Sequence, residues 1–309
     1  MKDISKYQGI IPAFYACYDD KGEISPQAVE TLTEYFIKKG VKGLYIGGSS
    51  GECIYHSVDE RKKTLEAVMG VARGRLTIIA HVACNNTADS VELARHAQSQ
   101  GVDAIAAIPP IYFHLPPYAI ADYWNAMSSA ASDTEFIIYN IPQLAGTELT
   151  LPLFKEMLKN PRVVGVKNSS MPVQDIETFK IEGTRDGRQF VVFNGPDEQL
   201  VSGLVMGADG GIGGTYGAMP ELVCAIYDLV QKGDIARARA VQHDVFEIIM
   251  ALCSGKGNMY AMIKETLRRR EGIDIGGVRA PMYGLVPEDE ESIARCVRMI
   301  DDAIARWTK

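Results

Sequence analysis

Eight times along its length the chain alternates a short run of apolar, β-favouring residues with a longer amphipathic run, and that count constrains the fold more than any other feature. "GIIPAFYACY" is followed by "SPQAVETLTEYFIKKG", "GLYIGGSS" by "SVDERKKTLEAVMGVA", and "LTIIAHVAC" by "TADSVELARHAQSQG". The pattern continues through "DAIAAIPP", "EFIIYNIP", "VVGVKNSS", "QFVVFNG" and "DGGIGGTY", each with a helix-like segment after it. The strand runs are nearly continuous in apolar residues rather than alternating, as expected of a parallel sheet covered by helices. Eight such units favour a (β/α)8, or TIM, barrel over an open doubly wound sheet. Helix starts carry matching chemistry: Ser25 precedes Pro26 as an N-cap, and Ser57 with Glu60 spells a capping box.

Past about residue 230 the strand signals stop. "DIARARAVQHDVFEIIMALC", "NMYAMIKETLRRR" and "EDEESIARCVRMIDDAIARW" read as three further helices, so the expected division is a barrel over 1–232 and a C-terminal helical region over 233–309. The connection "EGIDIGGVRAPMYGLVPE" is too apolar for a free linker and is expected to pack along the barrel.

With 32 basic against 39 acidic residues and a net charge of −7, the chain lacks the basic surface that nucleic acid or an anionic membrane would need. Cys17, Cys53, Cys84, Cys224, Cys253 and Cys296 are scattered without metal-ligand spacing, which suggests reduced thiols. "MKDISKYQGI" has no apolar signal core, and no stretch approaches the ~20 apolar residues of a membrane span. The expected location is the cytoplasm.

Barrel enzymes carry reactive groups where strands meet the following loops. Lys167 ends the run "VVGVK", where burying an ammonium is costly, so it is either paired with a carboxylate or held neutral as a nucleophile. Tyr139 closes the preceding strand and should lie beside Lys167 at nearly the same height. It is either a proton relay or a core tyrosine bonded to a backbone carbonyl. Ser49 and Ser50 in "GGSSGE" fit an anion-binding nest, or a turn capping the next helix. In "NGPDE", Gly195, Asp197 and Glu198 stand at another strand end, and the two acids equally suit a helix N-terminus. "PPIYFHLPPY" presents Tyr112 among prolines and aromatics, which suits a subunit interface, the alternative being packing on its own barrel.

Together "GLYIGGSSGE", "IIAHVAC", "YNIP", "GVK", "NGPDE" and "GADGGIGGTY", in that order, resemble the pyruvate-dependent class I aldolases, the family of dihydrodipicolinate synthases and sialic acid lyases. The similarity covers nearly the whole chain. It implies a Schiff base between Lys167 and the keto carbon of pyruvate, with Tyr139 transferring protons. It also implies that the Ser49–Ser50 loop holds the pyruvate carboxylate, and that no metal or cofactor is required. Tyr112 would reach into a neighbouring subunit's site, in a homotetramer. Leu144 stands where the synthases carry an arginine for a second carboxylate. That favours the sialic acid lyase branch and cleavage of N-acetylneuraminate to pyruvate and N-acetylmannosamine, with Asp197 and Glu198 meeting sugar hydroxyls. The alternative is another 2-keto-3-deoxy sugar acid, and less so tetrahydrodipicolinate synthesis. Ser50 and Ser169 replace common threonines, and Gly214 in "GGIGGT" replaces the usual serine of the lyases.

Overall fold

The computed structural model describes residues 3–308. Eight parallel strands form one sheet: β1 (Gly9–Ile10), β2 (Gly43–Ile46), β3 (Thr77–His81), β4 (Ala104–Ala107), β5 (Glu135–Asn140), β6 (Val163–Asn168), β7 (Val191–Asn194) and β8 (Gly210–Gly211). Each pairs with its sequence neighbours from β2 to β8, and β8 pairs with β1. The seam between β1 and β2 is closed by Lys42 N–H donating to the Ile10 carbonyl at 2.9 Å and by a parallel Ala13–Tyr45 bridge. The result is the expected (β/α)8 barrel.

Continuous apolar strands follow from burial on both faces. In β5, Phe136 and Ile138 pack outward against the helices, while Ile137 and Tyr139 join the barrel interior. The interior stack includes Ile11, Ile79, Val191 and Phe193, and Tyr7 lies wholly buried within it. Two strands are shorter than their sequence runs. Pro12 cannot donate to a ladder, so β1 stops at Ile10, and glycine-rich β8 makes only two pairs with each neighbouring strand.

Helix starts form as the sequence dictates. The Ser25 side chain accepts from Ala28 N–H with Pro26 at the first helical position, and Ser57 and Glu60 form the reciprocal capping box. After the barrel come helices Ile235–Cys253, Met259–Glu271 and Glu290–Trp307. The first is tied to the barrel mouth through Gln242, which accepts from Val201 N–H at 3.1 Å and donates to the Asp197 carbonyl at 3.2 Å. The glycine-rich connection lies against the barrel: Tyr18 N–H donates to the Ile275 carbonyl at 3.0 Å. No helix among the described residues is long and apolar enough to cross a membrane.

Candidate active site

Tyr139 and Lys167 are register partners across β5 and β6. One residue further along, both strands end in asparagines that bond each other, Asn140 Nδ2 to Asn168 Oδ1 at 2.7 Å, which fixes the two strand ends at equal height. The Lys167 ammonium position lies 3.8 Å from the Tyr139 ring centroid and 4.5 Å from that of Tyr45. Lys167 is 5% exposed and makes no ion pair or hydrogen bond among the described residues, so the paired-lysine alternative fails. Burial lowers its pKa to about 7, against the pull of the Asp197 charge in the opposite direction. A substantial neutral fraction at physiological pH makes this amine a nucleophile toward carbonyl carbon.

Burial pushes the Tyr139 phenol up to about 12, while the neighbouring Ser49 and Ser169 side chains act in the other direction. It stays protonated as a donor, and among the described residues its hydroxyl makes no hydrogen bond to a backbone carbonyl. These groups line a cavity of about 380 Å³ at the carboxyl ends of the strands. Of the residues singled out in the sequence, Ser49, Ser50, Tyr139, Lys167, Ser169, Gly195, Asp197, Glu198 and Gly214 all reach it, as does Leu144. Tyr112 does not. β4 ends at Ala107, the following prolines carry the chain away, and Tyr112 is 87% exposed with φ +83°.

The Ser49–Gly51 turn uses its later amides internally, Gly51 N–H to the Gly48 carbonyl and Glu52 N–H to the Ser49 carbonyl. The amides of Ser49 and Ser50 find no acceptor among the described residues, the arrangement an anion-binding nest requires. Glycine at 195 is a steric necessity: a Cβ there would stand 2.0 Å from Ser169 Oγ and 2.7 Å from the Asn168 carbonyl. Asp197 does not cap its own helix. Its carboxylate accepts from Thr215 N–H at 2.6 Å and from the Thr215 hydroxyl at 2.5 Å, and burial raises its pKa to about 6.

Several lining residues carried no local sequence signal. Ile249, Met250 and Cys253 come from helix Ile235–Cys253, and Met259 and Tyr260 from helix Met259–Glu271. What fixes the latter helix is a buried ion pair: Lys264 Nζ donates to Glu52 at 2.9 Å, with the two side chains 2% and 0% exposed. Glu52 has a left-handed φ of 52° directly after the serine turn, and it also accepts from the Tyr18 hydroxyl at 2.9 Å and Arg279 N–H at 2.8 Å. Lys264→Met should therefore cost about 3 kcal/mol of stability, by leaving a buried carboxylate short of its cation. Denaturant unfolding reads this directly, and a midpoint equal to wild type would contradict it.

Residues 6–300 match the dihydrodipicolinate synthetase family. The chain is 61% identical to an N-acetylneuraminate lyase of Mediterraneibacter gnavus, over 98% of this chain and 95% of that protein. It is 33% identical to an N-acetylneuraminate lyase of Salmonella agona, over 92% and 93% of the two chains. The solved Ruminococcus gnavus sialic acid aldolase, a catalytic lysine mutant, superposes with a TM-score of 0.97 at 60% identity, covering 99% of this chain and 100% of that one. A barrel whose fifth and sixth strands bring a tyrosine against an unpaired, buried lysine thus has full-length counterparts, and the chain belongs to the dihydrodipicolinate synthetase family.

Proposed function

We propose that the protein is a carbon–carbon lyase that cleaves N-acetylneuraminate to pyruvate and N-acetylmannosamine through a Schiff base on Lys167. The observation that carries the reading is the unpaired, buried Lys167 amine in register with Tyr139. The neutral amine adds to the keto carbon and water leaves, giving a protonated imine. A base removes the proton of the hydroxyl on the aldehyde-forming carbon. The carbon–carbon bond then breaks, its electron pair enters the imine as an enamine, and the aldehyde sugar departs. Protonation of the enamine carbon and hydrolysis by water return pyruvate and the free amine. Tyr139, with Ser49 and Ser169 beside it, is the proton-transferring group. The free Ser49 and Ser50 amides take the substrate carboxylate. Glu198, Ser169 and the Gly195 and Gly214 turns line the path of the sugar, with Asp197 holding the Thr215 turn.

The distinguishing assay offers the enzyme N-acetylneuraminate, a shorter 2-keto-3-deoxy sugar acid, and pyruvate with aspartate semialdehyde. Release of pyruvate and N-acetylmannosamine from the first at the highest kcat/KM supports the reading, and preference for either of the others overturns it. The exposed Leu144 side chain supplies no cation for a second carboxylate, which supports the sugar substrate.

The pH dependence follows from Lys167. Below about pH 7 the amine is protonated, so Schiff-base formation should fall roughly tenfold per pH unit, and above it the rate should level off. Asp197→Asn removes the charge that raises the Lys167 pKa, so the midpoint should move to lower pH. A midpoint that stays put or rises would show that the amine is not the titrating group.

Assembly as a homotetramer in the cytoplasm completes the proposal. Tyr112, Phe113 and Tyr118 are each more than 70% exposed, and the positive φ of Tyr112 costs of order 1–3 kcal/mol that a neighbouring copy can offset. Light scattering should return about four times the 33.8 kDa chain mass. An active monomer would refute it.

A further inference from the structure

Ser49 lines the cavity together with Tyr139, whereas the Ser50 hydroxyl donates to Tyr260 at 3.3 Å, so Ser50 faces the wall built by the C-terminal helices. Tyr260 comes from a helix outside the barrel, yet it is rigidly held. Its backbone N–H donates to Asn258 Oδ1 at 2.9 Å, its ring packs at 6.5 Å from Tyr15, and one turn further on Lys264 is locked to Glu52. The Tyr260 hydroxyl accepts from Ser50, and its own proton meets no acceptor among the described residues. Burial raises its pKa, which keeps it a neutral donor.

Across from it lies Gly214, whose carbonyl accepts from the Tyr15 hydroxyl at 2.8 Å. A Cβ built on Gly214 would stand 3.1 Å from Ser50 Oγ and 3.6 Å from the Tyr260 hydroxyl oxygen. The space that a side chain at 214 would enter is the space the tyrosine hydroxyl faces.

We infer that Tyr260 is a specificity-determining residue, donating its free hydroxyl proton to a hydroxyl of the polyhydroxylated aldehyde-sugar portion of the substrate, the role that a hydroxyl side chain at 214 would otherwise fill. The inference rests on the lyase reading of the cavity. It also predicts that Gly214→Ser alone does not improve sugar binding. In the wild-type background the new side chain meets Ser50 at a tight 3.1 Å and a donor already in place, so it brings no gain.

Four proteins test it: wild type, Tyr260→Phe, Gly214→Ser and the double variant. Each is measured for KM and kcat on N-acetylneuraminate, and for the pyruvate concentration that half-saturates borohydride trapping. Tyr260→Phe should raise the sugar-acid KM about fivefold to tenfold, the loss of one net hydrogen bond, with kcat and half-saturating pyruvate within about twofold of wild type. The double variant should recover most of that loss, because without the phenol oxygen Ser50 loses the partner that holds it against position 214 and can turn away, leaving room for the new serine hydroxyl. An unchanged KM in Tyr260→Phe, a parallel rise in half-saturating pyruvate, or no recovery in the double variant would each overturn the inference. Wild-type enzyme that traps pyruvate but leaves N-acetylneuraminate intact would instead defeat the substrate reading, a failure visible before any variant is made.

Discussion

Lys167→Ala loses turnover by roughly 10⁴-fold or more while keeping its fold, because the nucleophile has no substitute among the neighbouring groups. The side chain lies at the open end of the barrel, above the packed interior residues Ile137 and Val191, and bonds to nothing whose loss would leave an orphan. Removing it also relieves the desolvation that lowers its pKa, so thermal unfolding should shift by only a few degrees. Residual lyase activity within about a hundredfold of wild type would assign the chemistry to another group. The other buried lysine, Lys264, is the one to consider in that case, and its ion pair with Glu52 argues against it.

Tyr139→Phe should lower kcat by about 10²–10⁴-fold with a much smaller change in KM, since the ring remains against Lys167 and only the proton-transferring hydroxyl is lost. The phenol lies near the Ser49 and Ser169 side chains, and replacing its hydroxyl by hydrogen keeps the ring packing and opens no cavity. A rise in KM at constant kcat would make the hydroxyl a binding group and not a proton carrier. Burst analysis of imine formation separates the two, because the carbon–carbon step, not the first addition, should carry most of the loss.

The barrel was legible because a strand buried on both faces needs apolar residues at every position, which leaves a continuous run in the sequence. The same reasoning placed Tyr139 and Lys167 side by side: each closes such a run, and the register pairs them directly. β1 and β8 were overestimated where Pro12 and a row of glycines interrupt the ladder without interrupting the apolar run. At the site, residues at strand ends could be found and residues brought by tertiary folding could not. Tyr260, Met250 and Cys253 sit on ordinary amphipathic helices whose return to the barrel mouth depends on Gln242 and on the Glu52–Lys264 pair. Asp197 showed the converse. It is recognisable as a strand-end acid, yet its partner Thr215 lies on the loop after β8, so the cap alternative was settled only by the fold.

The measurement that bears most directly on the central claim is reduction of the enzyme with borohydride in the presence of pyruvate, followed by peptide mass analysis. A reduced pyruvyl adduct on the peptide carrying Lys167, with Lys264 and the surface lysines unmodified, is the predicted result. An unmodified Lys167, or an adduct borne on any other lysine, would contradict the account.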